Sequence, residues 1–426
     1  MKIALVSLGC VKNLVDSEMV LGLLKKSKGK IINDVEKADV IIVNTCGFIE
    51  SAKQESINTI LEMVDYNKKL IVMGCLVERY YDDLVKEIPE VDLFIRIKDY
   101  PKIDEILDNF LGLDVKTKLN MHDRLLSTPK HLAYLRISDG CNNKCHYCAI
   151  PLIRGEYVSR PFEDIILEAK ELAKKGVKEL VLISQDTTRY GTDLANGESI
   201  VSLLKELDKI EGFEFIRFLY LYPNDVTDEL IECVKNSKNI TPYFDVPIQH
   251  ASDKMLANMN RRGTNEDMKF LFKKIRESIP HAVLRTTLII GYPTEDDNDH
   301  EILKDFIKEV RFDKLGAFTY SREEDTVSYD MPQVDSEIAQ KRYEEILNIQ
   351  EELSLEKGQE RIGQIHKVII EDFEGYYYLG RSYAFAPDDI DGYIFVESDE
   401  ELSVGDIVHC EIFDADSYNL FGRKIS

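Results

Sequence analysis

Short runs of Val, Ile and Leu alternate with longer stretches of helical period from residue 2 to about residue 350, and then the alternation stops. That rhythm leaves few folds open. Strands separated by helix-length crossovers lie parallel, since antiparallel neighbours need only a tight turn. In the first segment, 2–8, 39–44 and 69–73 read as buried strands. Between them, 13–26 and 51–66 carry apolar residues at helical spacing, as Leu14, Met19, Leu21 and Leu24 show in the first. Residues 1–115 are therefore expected to form a doubly wound parallel-sheet domain.

The second segment, 131–358, repeats the pattern on a larger scale. Its candidate strands are 132–137, 179–184, 215–219, 243–247, 283–290 and 314–320, with helices such as 162–175, 199–209 and 265–278 between them. Six βα units are too few for a closed eight-fold barrel and fit an open, partial (β/α)6 one. Residues 116–130 read as a polar linker, and 337–358 as one charged helix. From 359 to 426 the pattern changes to five short strands, 364–371, 376–381, 392–396, 407–413 and 420–424, punctuated by Gly and Asp. A small OB-like β-barrel is expected there.

No run approaches the roughly 18–20 consecutive apolar residues of a membrane span. The apolar opening Met1-Lys2-Ile3-Ala4-Leu5-Val6 meets Ser7 too early for a signal peptide, so the cytoplasm is the expected compartment. There, eight cysteines point to metal ligation or catalysis rather than disulfides. The net charge of −24 disfavours non-specific nucleic-acid binding and favours basic partners.

Cys141, Cys145 and Cys148 follow the first strand of the larger segment, in the run Asp139-Gly140-Cys141-Asn142-Asn143-Lys144-Cys145-His146-Tyr147-Cys148. The spacing C-x3-C-x2-C puts three thiolates on one loop, whereas an iron–sulfur cluster normally takes four. One iron is left open, and S-adenosylmethionine (SAM) can chelate it through its amino and carboxylate groups. The spacing is similar to the radical-SAM signature, to which an aromatic residue at Tyr147 also belongs. A zinc knuckle would want a fourth ligand and a second pair nearby; apart from His146 no such pair follows.

Cys10, Cys46 and Cys75 are far apart in sequence but occupy equivalent positions, each at the carboxyl end of an expected strand and ahead of a helix. In a parallel sheet those ends share one edge, so the three thiols converge where doubly wound folds bind ligands. Gly9, Gly47 and Gly74 suit tight turns around a bulky group, and helix N-termini favour thiolate charge. A second three-cysteine cluster is expected; the competing reading is three buried small hydrophobes. Cys233 and Cys410 lack partners at ligand spacing and read as helix packing and barrel core.

Two three-cysteine sites in this domain order resemble the methylthiotransferases, essentially end to end, with a C-terminal part similar to their TRAM domain. The phrases that carry the likeness are Ser7-Leu8-Gly9-Cys10, Lys12-Asn13-Leu14-Val15-Asp16-Ser17-Glu18, Asn44-Thr45-Cys46-Gly47-Phe48-Ile49, Gln185-Asp186-Thr187-Thr188-Arg189-Tyr190-Gly191, Pro247-Ile248-Gln249-His250-Ala251-Ser252 and Ile390-Asp391-Gly392. Val11 stands where the nearest subgroup usually has proline, and Ser184-Gln185-Asp186 where many radical-SAM enzymes have Gly-Gly-Glu. The resemblance implies two 4Fe-4S clusters and SAM. Cys141, Cys145 and Cys148 would hold the catalytic cluster, which reduces SAM to methionine and a 5′-deoxyadenosyl radical. Cys10, Cys46 and Cys75 would hold an auxiliary cluster that presents sulfur. The nearest subgroup attaches a methylthio group to the β-carbon of an aspartate in small-subunit ribosomal protein S-twelve. The implied partners are that protein or the small ribosomal subunit, and an electron donor such as flavodoxin or ferredoxin.

Four further residues join Tyr147 as candidates for cofactor binding. Gln185 and Asp186 end the second strand, where they either hold the SAM ammonium or cap the loop. Asp245 ends the fourth and serves either ribose or substrate, or an interior salt bridge. Gly291 ends the fifth and either admits adenine or makes an ordinary turn. Arg154 reads as a helix-end cap or a substrate contact, and Glu295-Asp296-Asp297 as a solvated helix start. Residues 360–426 hold 15 acidic against five basic residues, with Asp388, Asp389, Asp391 and Glu397 expected on a surface that attracts a basic protein. A tRNA adenosine, the substrate of a sister subgroup, would be repelled. A non-catalytic iron–sulfur carrier is the alternative from another class; it would need neither Tyr147 nor a six-strand barrel.

Overall fold

The computed structural model describes residues 1–115, 118–388 and 390–425. Its first sheet is five-stranded and parallel, in the order Lys30–Ile31, Lys2–Ser7, Val40–Thr45, Lys69–Gly74, Leu93–Ile95. The order reverses between Lys2–Ser7 and Val40–Thr45, which opens a crevice at their carboxyl ends. Strand side chains alternate between two cores. Val40 and Ile42 meet Leu23 and Leu24 of the helix Val11–Lys25, while Ile41 and Val43 meet Ile60 and Met63 of the helix Glu50–Asp65. The short strands Lys30–Ile31 and Leu93–Ile95 add edges that were not expected, because two or three residues carry no readable period.

Six parallel strands follow in chain order as two hydrogen-bonded triplets. Leu132–Arg136, Glu179–Ile183 and Phe215–Phe218 form one; Tyr243–Asp245, Val283–Ile290 and Lys314–Thr319 form the other. A bridge from Ile216 to Ile240 joins them, giving the expected open, partial barrel. The helix Ser336–Gln359 closes over its last strands through Ile346 and Leu353. Five strands then form a closed barrel in the order Ile365–Glu374, Tyr377–Arg381, Ile394–Glu397, Leu420–Lys424, Ile407–Ala415. Cys410 is enclosed within it, and Cys233 packs on the helix Asp228–Lys235. No helix among the described residues is long and apolar enough to cross a membrane.

The small barrel is built into the large one. Its loop before Ile394–Glu397 puts Ala384, Phe385 and Ala386 against Leu132, Tyr134, Val181 and Tyr243 on the strands of the partial barrel. Tyr134 and Tyr243 donate their hydroxyls to Asp388 and Asp391. Asp391, only 5% exposed, also faces Arg285 at 3.5 Å, so it is not the recruiting surface acid expected from the sequence. Glu397 is at the surface but paired with Arg423 at 2.8 Å, and Asp389 lies outside the described residues. The expected linker is likewise anchored: Arg124 is buried, ion-paired to Glu18 of the first domain at 2.7 Å and to Glu168 at 2.8 Å.

Beneath the plug, Glu179 is fully enclosed between Arg217 at 2.9 Å and Arg381 at 2.7 Å. Removing one member of such a network leaves a charge buried without its partner. Glu179→Ala is expected to cost about 3–5 kcal/mol, read as a lower thermal midpoint. His366 is also buried there, stacked on Tyr383, and burial pushes its imidazole from its ordinary 6.5 down to about 3. A depressed folded value means that stability is complete above pH 6.5 and drains away as pH falls toward about 3. His366→Gln should therefore move acid unfolding to lower pH, measured by circular dichroism along a pH series.

Candidate functional site

The loop of Cys141, Cys145 and Cys148 leaves the first strand of the partial barrel and is tied down along its length. Cys141 N–H donates to Gly155 O at 3.2 Å, His146 N–H to Met259 O at 3.0 Å and Cys148 N–H to Cys145 O at 3.1 Å. Tyr147 packs edge-on to Tyr292, and its hydroxyl accepts from Arg261 Nη1 at 3.1 Å. The three thiols are partly exposed and free of disulfides. Burial pushes the Cys148 thiol up to about 12 and Cys141 in the same direction. Such thiols ionise when a bound cation takes up the charge.

The other expected cofactor residues divide. Gln185 donates Nε2–H to Asp139 Oδ1 at 3.0 Å, while its Oε1 is enclosed without a hydrogen-bond partner. Asp186 is buried, with one oxygen accepting from Asn143 Nδ2 at 2.6 Å and the other from the Thr188 hydroxyl; burial raises its carboxyl. It thus holds the cysteine loop and offers no free oxygen. Asp245 takes the interior salt bridge that was its alternative. One oxygen pairs with Arg285 at 2.8 Å and the other accepts the Tyr220 N–H at 2.9 Å.

Gly291 has φ +68°, and a Cβ there would stand 2.4 Å from the Ala339 Cβ. The close approach is therefore by the helix Ser336–Gln359, and an opening toward adenine is not what the glycine provides. Its N–H donates to Glu295 Oε2 at 2.8 Å, and Arg342 pairs with Glu295 Oε1 at 2.9 Å. Of the acidic run expected in solvent, Glu295 is thus a buried clamp, while Asp296 caps the helix Asp297–Val310.

Cys10, Cys46 and Cys75 follow the strands Lys2–Ser7, Val40–Thr45 and Lys69–Gly74 and lie within electrostatic reach of one another. Gly9 has φ +82°, and a Cβ on it would fall 2.7 Å from Cys46 Cβ, so only glycine leaves that cradle open. Asn13, absent from the expected site, stitches the three loops together. Its Nδ2 donates to Leu8 O at 3.2 Å and Thr45 O at 2.9 Å, and its Oδ1 accepts from Cys75 Sγ at 3.3 Å. Burial drives the Cys75 thiol up to about 12.

Arg154 spans the gap between the two trios. It ends the short helix after the radical-SAM-like loop and reaches Asp16 at 2.8 Å, Asn13 Oδ1 at 2.8 Å and Cys75 Sγ at 3.6 Å. It is neither a helix cap nor exposed to a substrate. On the far side, Arg79 joins Glu323 at 2.7 Å and donates to Gly47 O at 3.0 Å, fixing the Cys46 loop to the end of the partial barrel. Beside Glu323 lies a cavity of about 730 Å³ lined by Phe48, Ile49, Tyr147, Gln249, Thr287 and Ile289. That volume lies within the roughly 300–1,000 Å³ of small-molecule sites. Nothing in the sequence marks Arg154 or Asn13 as junctions, except that Asn13 follows Cys10 by three residues and Arg154 follows Cys148 by six.

Each trio offers three free cysteines, the donor chemistry that an iron–sulfur cluster takes. Among the described residues no three such side chains close on a point as they would around a single ion. Thiols around a four-iron cube stand wider, and each trio leaves one iron open. The orphaned Gln185 Oε1 is an acceptor suited to an ammonium group.

The comparisons agree with this geometry. Residues 2–96 match Uncharacterized protein family UPF0004, 135–307 the Radical SAM superfamily and 362–425 the TRAM domain. A ribosomal protein uS12 methylthiotransferase RimO of Acetivibrio thermocellus is 47% identical over 100% of this chain and 98% of its own. Its namesake in Clostridioides difficile is 48% identical over 99% and 98%. The chain belongs to the RimO family of radical-SAM methylthiotransferases. Among solved structures, the radical SAM methyltransferase TsrM of Kitasatospora setae shares the fold, with a TM-score of 0.59, 13% identity and 77% of each chain covered.

Reconstituted without oxygen, this family member should bind about eight irons, and the Cys141, Cys145, Cys148 triple alanine variant about four. Iron analysis of that variant returning none would reduce Cys10, Cys46 and Cys75 to packing residues.

Proposed function

We propose that this enzyme attaches a methylthio group to the β-carbon of an aspartate in ribosomal protein uS12, with one cysteine trio for each half of the task. Cys141, Cys145 and Cys148 hold the cluster that binds SAM, and Gln185 and Tyr147 lie on the cofactor. Cys10, Cys46 and Cys75 hold the auxiliary cluster. The supporting observation is the seam itself: Arg154 reaches from the loop of one trio to a thiol of the other. Residues 1–115, 131–358 and 359–426 divide the labour into sulfur presentation, radical generation and substrate docking.

Bound in these sites, the two clusters and SAM supply the one-electron chemistry and the sulfur that side chains lack. The protein's part is to hold the reacting groups at fixed separation and to keep water out. Asp186 and Arg261 fix the cysteine loop, and Asn13 fixes the other three. A one-electron donor such as flavodoxin or ferredoxin completes the reaction in the cytoplasm. Charge supports a protein substrate, since 15 acids against five bases over 360–426 repel a polyanion even with Asp391 taken inside.

Mass spectrometry of uS12 and of tRNA from cells lacking the gene tests the substrate, with the methylthio increment expected to vanish from uS12 alone. The Cys10, Cys46, Cys75 triple alanine variant should still cleave SAM to 5′-deoxyadenosine and yield no methylthiolated product. Product from that variant would place the sulfur source elsewhere.

A further inference from the structure

Lys12 is a cation in a place that stability does not explain. It lies in the first turn of the helix Val11–Lys25, where the helix dipole opposes positive charge and acids are favoured. Its Nζ sits 3.7 Å from the centre of the Tyr220 ring; burial and Arg154 disfavour its charged form, while Cys10, Asp139 and Asp245 favour it. It therefore occupies the seam between the two trios. Yet it makes no ion pair and no hydrogen bond among the described residues.

The two carboxylates near it are committed elsewhere. Asp245 is divided between Arg285 and the Tyr220 N–H. Asp139 accepts from Gln185 and its neighbour Gly140, and faces Arg136 at 3.6 Å and Arg154 at 3.4 Å. Tyr220, under the ammonium, is held in the left-handed region at φ 64°, a conformation costly for a bulky side chain. Its N–H to Asp245 and its carbonyl, which accepts from Thr187 N–H at 3.0 Å, keep it there. The ring thus supports a side chain whose donors have no acceptor among the described residues.

We infer that Lys12 receives the side-chain carboxylate of the substrate aspartate and so sets its β-carbon, one bond away, between the two trios. The assignment rests on the aspartate reading of the proposed function and adds to it the residue that tells aspartate from its neutral isostere. A charge-assisted pair in a partly enclosed site is the strong kind of hydrogen bond, whereas an amide oxygen offers Lys12 no charge. The cofactor's own carboxylate has the same chemistry, so the test separates the two sources.

The test uses the full-length enzyme carrying both clusters, with Lys12→Met and Lys12→Arg. The probes are two synthetic peptides spanning the uS12 target loop, one with the aspartate and one with asparagine in its place. The unaltered enzyme should bind the aspartate peptide about tenfold more tightly by fluorescence anisotropy, with the same ratio in KM. Lys12→Met should bring the ratio close to one through weaker aspartate binding, and Lys12→Arg should restore most of it. If Lys12→Met fails to keep its iron and its melting midpoint, Lys12→Gln provides the same readout. A methionine variant that preserves the aspartate preference overturns the assignment. So does a fall in SAM affinity that parallels the loss of peptide affinity, since the ammonium then serves the cofactor. An unaltered enzyme that modifies tRNA and neither peptide removes the aspartate reading, and this inference with it.

Discussion

Asp16 lies between two guanidiniums, and the arrangement of both cysteine sites follows from that. One oxygen faces Arg136 at the end of the first barrel strand, and the other faces Arg154 beyond the cysteine loop at 2.8 Å. Asp16 itself belongs to the helix that Cys10 caps. All three groups are largely enclosed, so their desolvation consumes much of the Coulomb attraction. What such a pair adds is registry: a sheet edge from one domain and a sheet edge from another can meet in one orientation only. Two parallel sheets each bring a cysteine-bearing edge to the same seam, and these ion pairs join them.

How much of this was legible depended on sequence distance. Strand and helix periods are local, so the doubly wound sheet, the six-unit partial barrel and the small closed barrel could be read from them. Three cysteines in one loop are local too. Cys10, Cys46 and Cys75 can be related to one another in sequence because a topological rule places all parallel strand ends on one edge. Partners chosen across the fold, far apart in sequence, left no such trace. Asp245 pairs with Arg285 from the neighbouring strand, Gly291 makes room for Ala339, and Glu295 faces Arg342. Each lies at a strand end or helix start, where an exposed, functional role and a buried, structural one look alike in sequence. Arg154 and Asn13 escaped for the opposite reason, since their value lies in joining loops from different parts of the chain.

Charge was the least legible property. Acids counted along 360–426 suggest a uniformly negative surface, but folding removes several of them from it. Asp391 is turned inward, and Glu371 faces Arg381 and His131; burial pushes its carboxyl up, but the hydrogen bonds and charges of those two partners outweigh it and hold Glu371 well below its usual range, at about 2. The net charge of the segment survives as a long-range field, because pairing with residues outside it only redistributes charge. Its local pattern does not survive. An electrostatic argument for a protein partner can use the field, whereas an argument naming particular recruiting residues has to wait for their burial to be known.

The inward acids also change what the small barrel is. Asp391 meets Arg285, Arg285 meets Asp245, and Asp245 accepts the N–H of Tyr220, whose ring lies under Lys12. A continuous set of polar contacts therefore runs from the C-terminal domain to the seam between the cysteine trios. The loop of Ala384, Phe385 and Ala386 packs on Leu132, Tyr134, Val181 and Tyr243, so the C-terminal domain lines part of a barrel that six strands leave open. An open barrel gains room for a macromolecular substrate at one end and loses a lining at the other. Here the domain that would dock the substrate supplies the missing lining. The barrel proposed to dock the substrate is thereby joined to the proposed reaction centre by direct packing of Phe385 and by the pairing of Asp391 with Arg285.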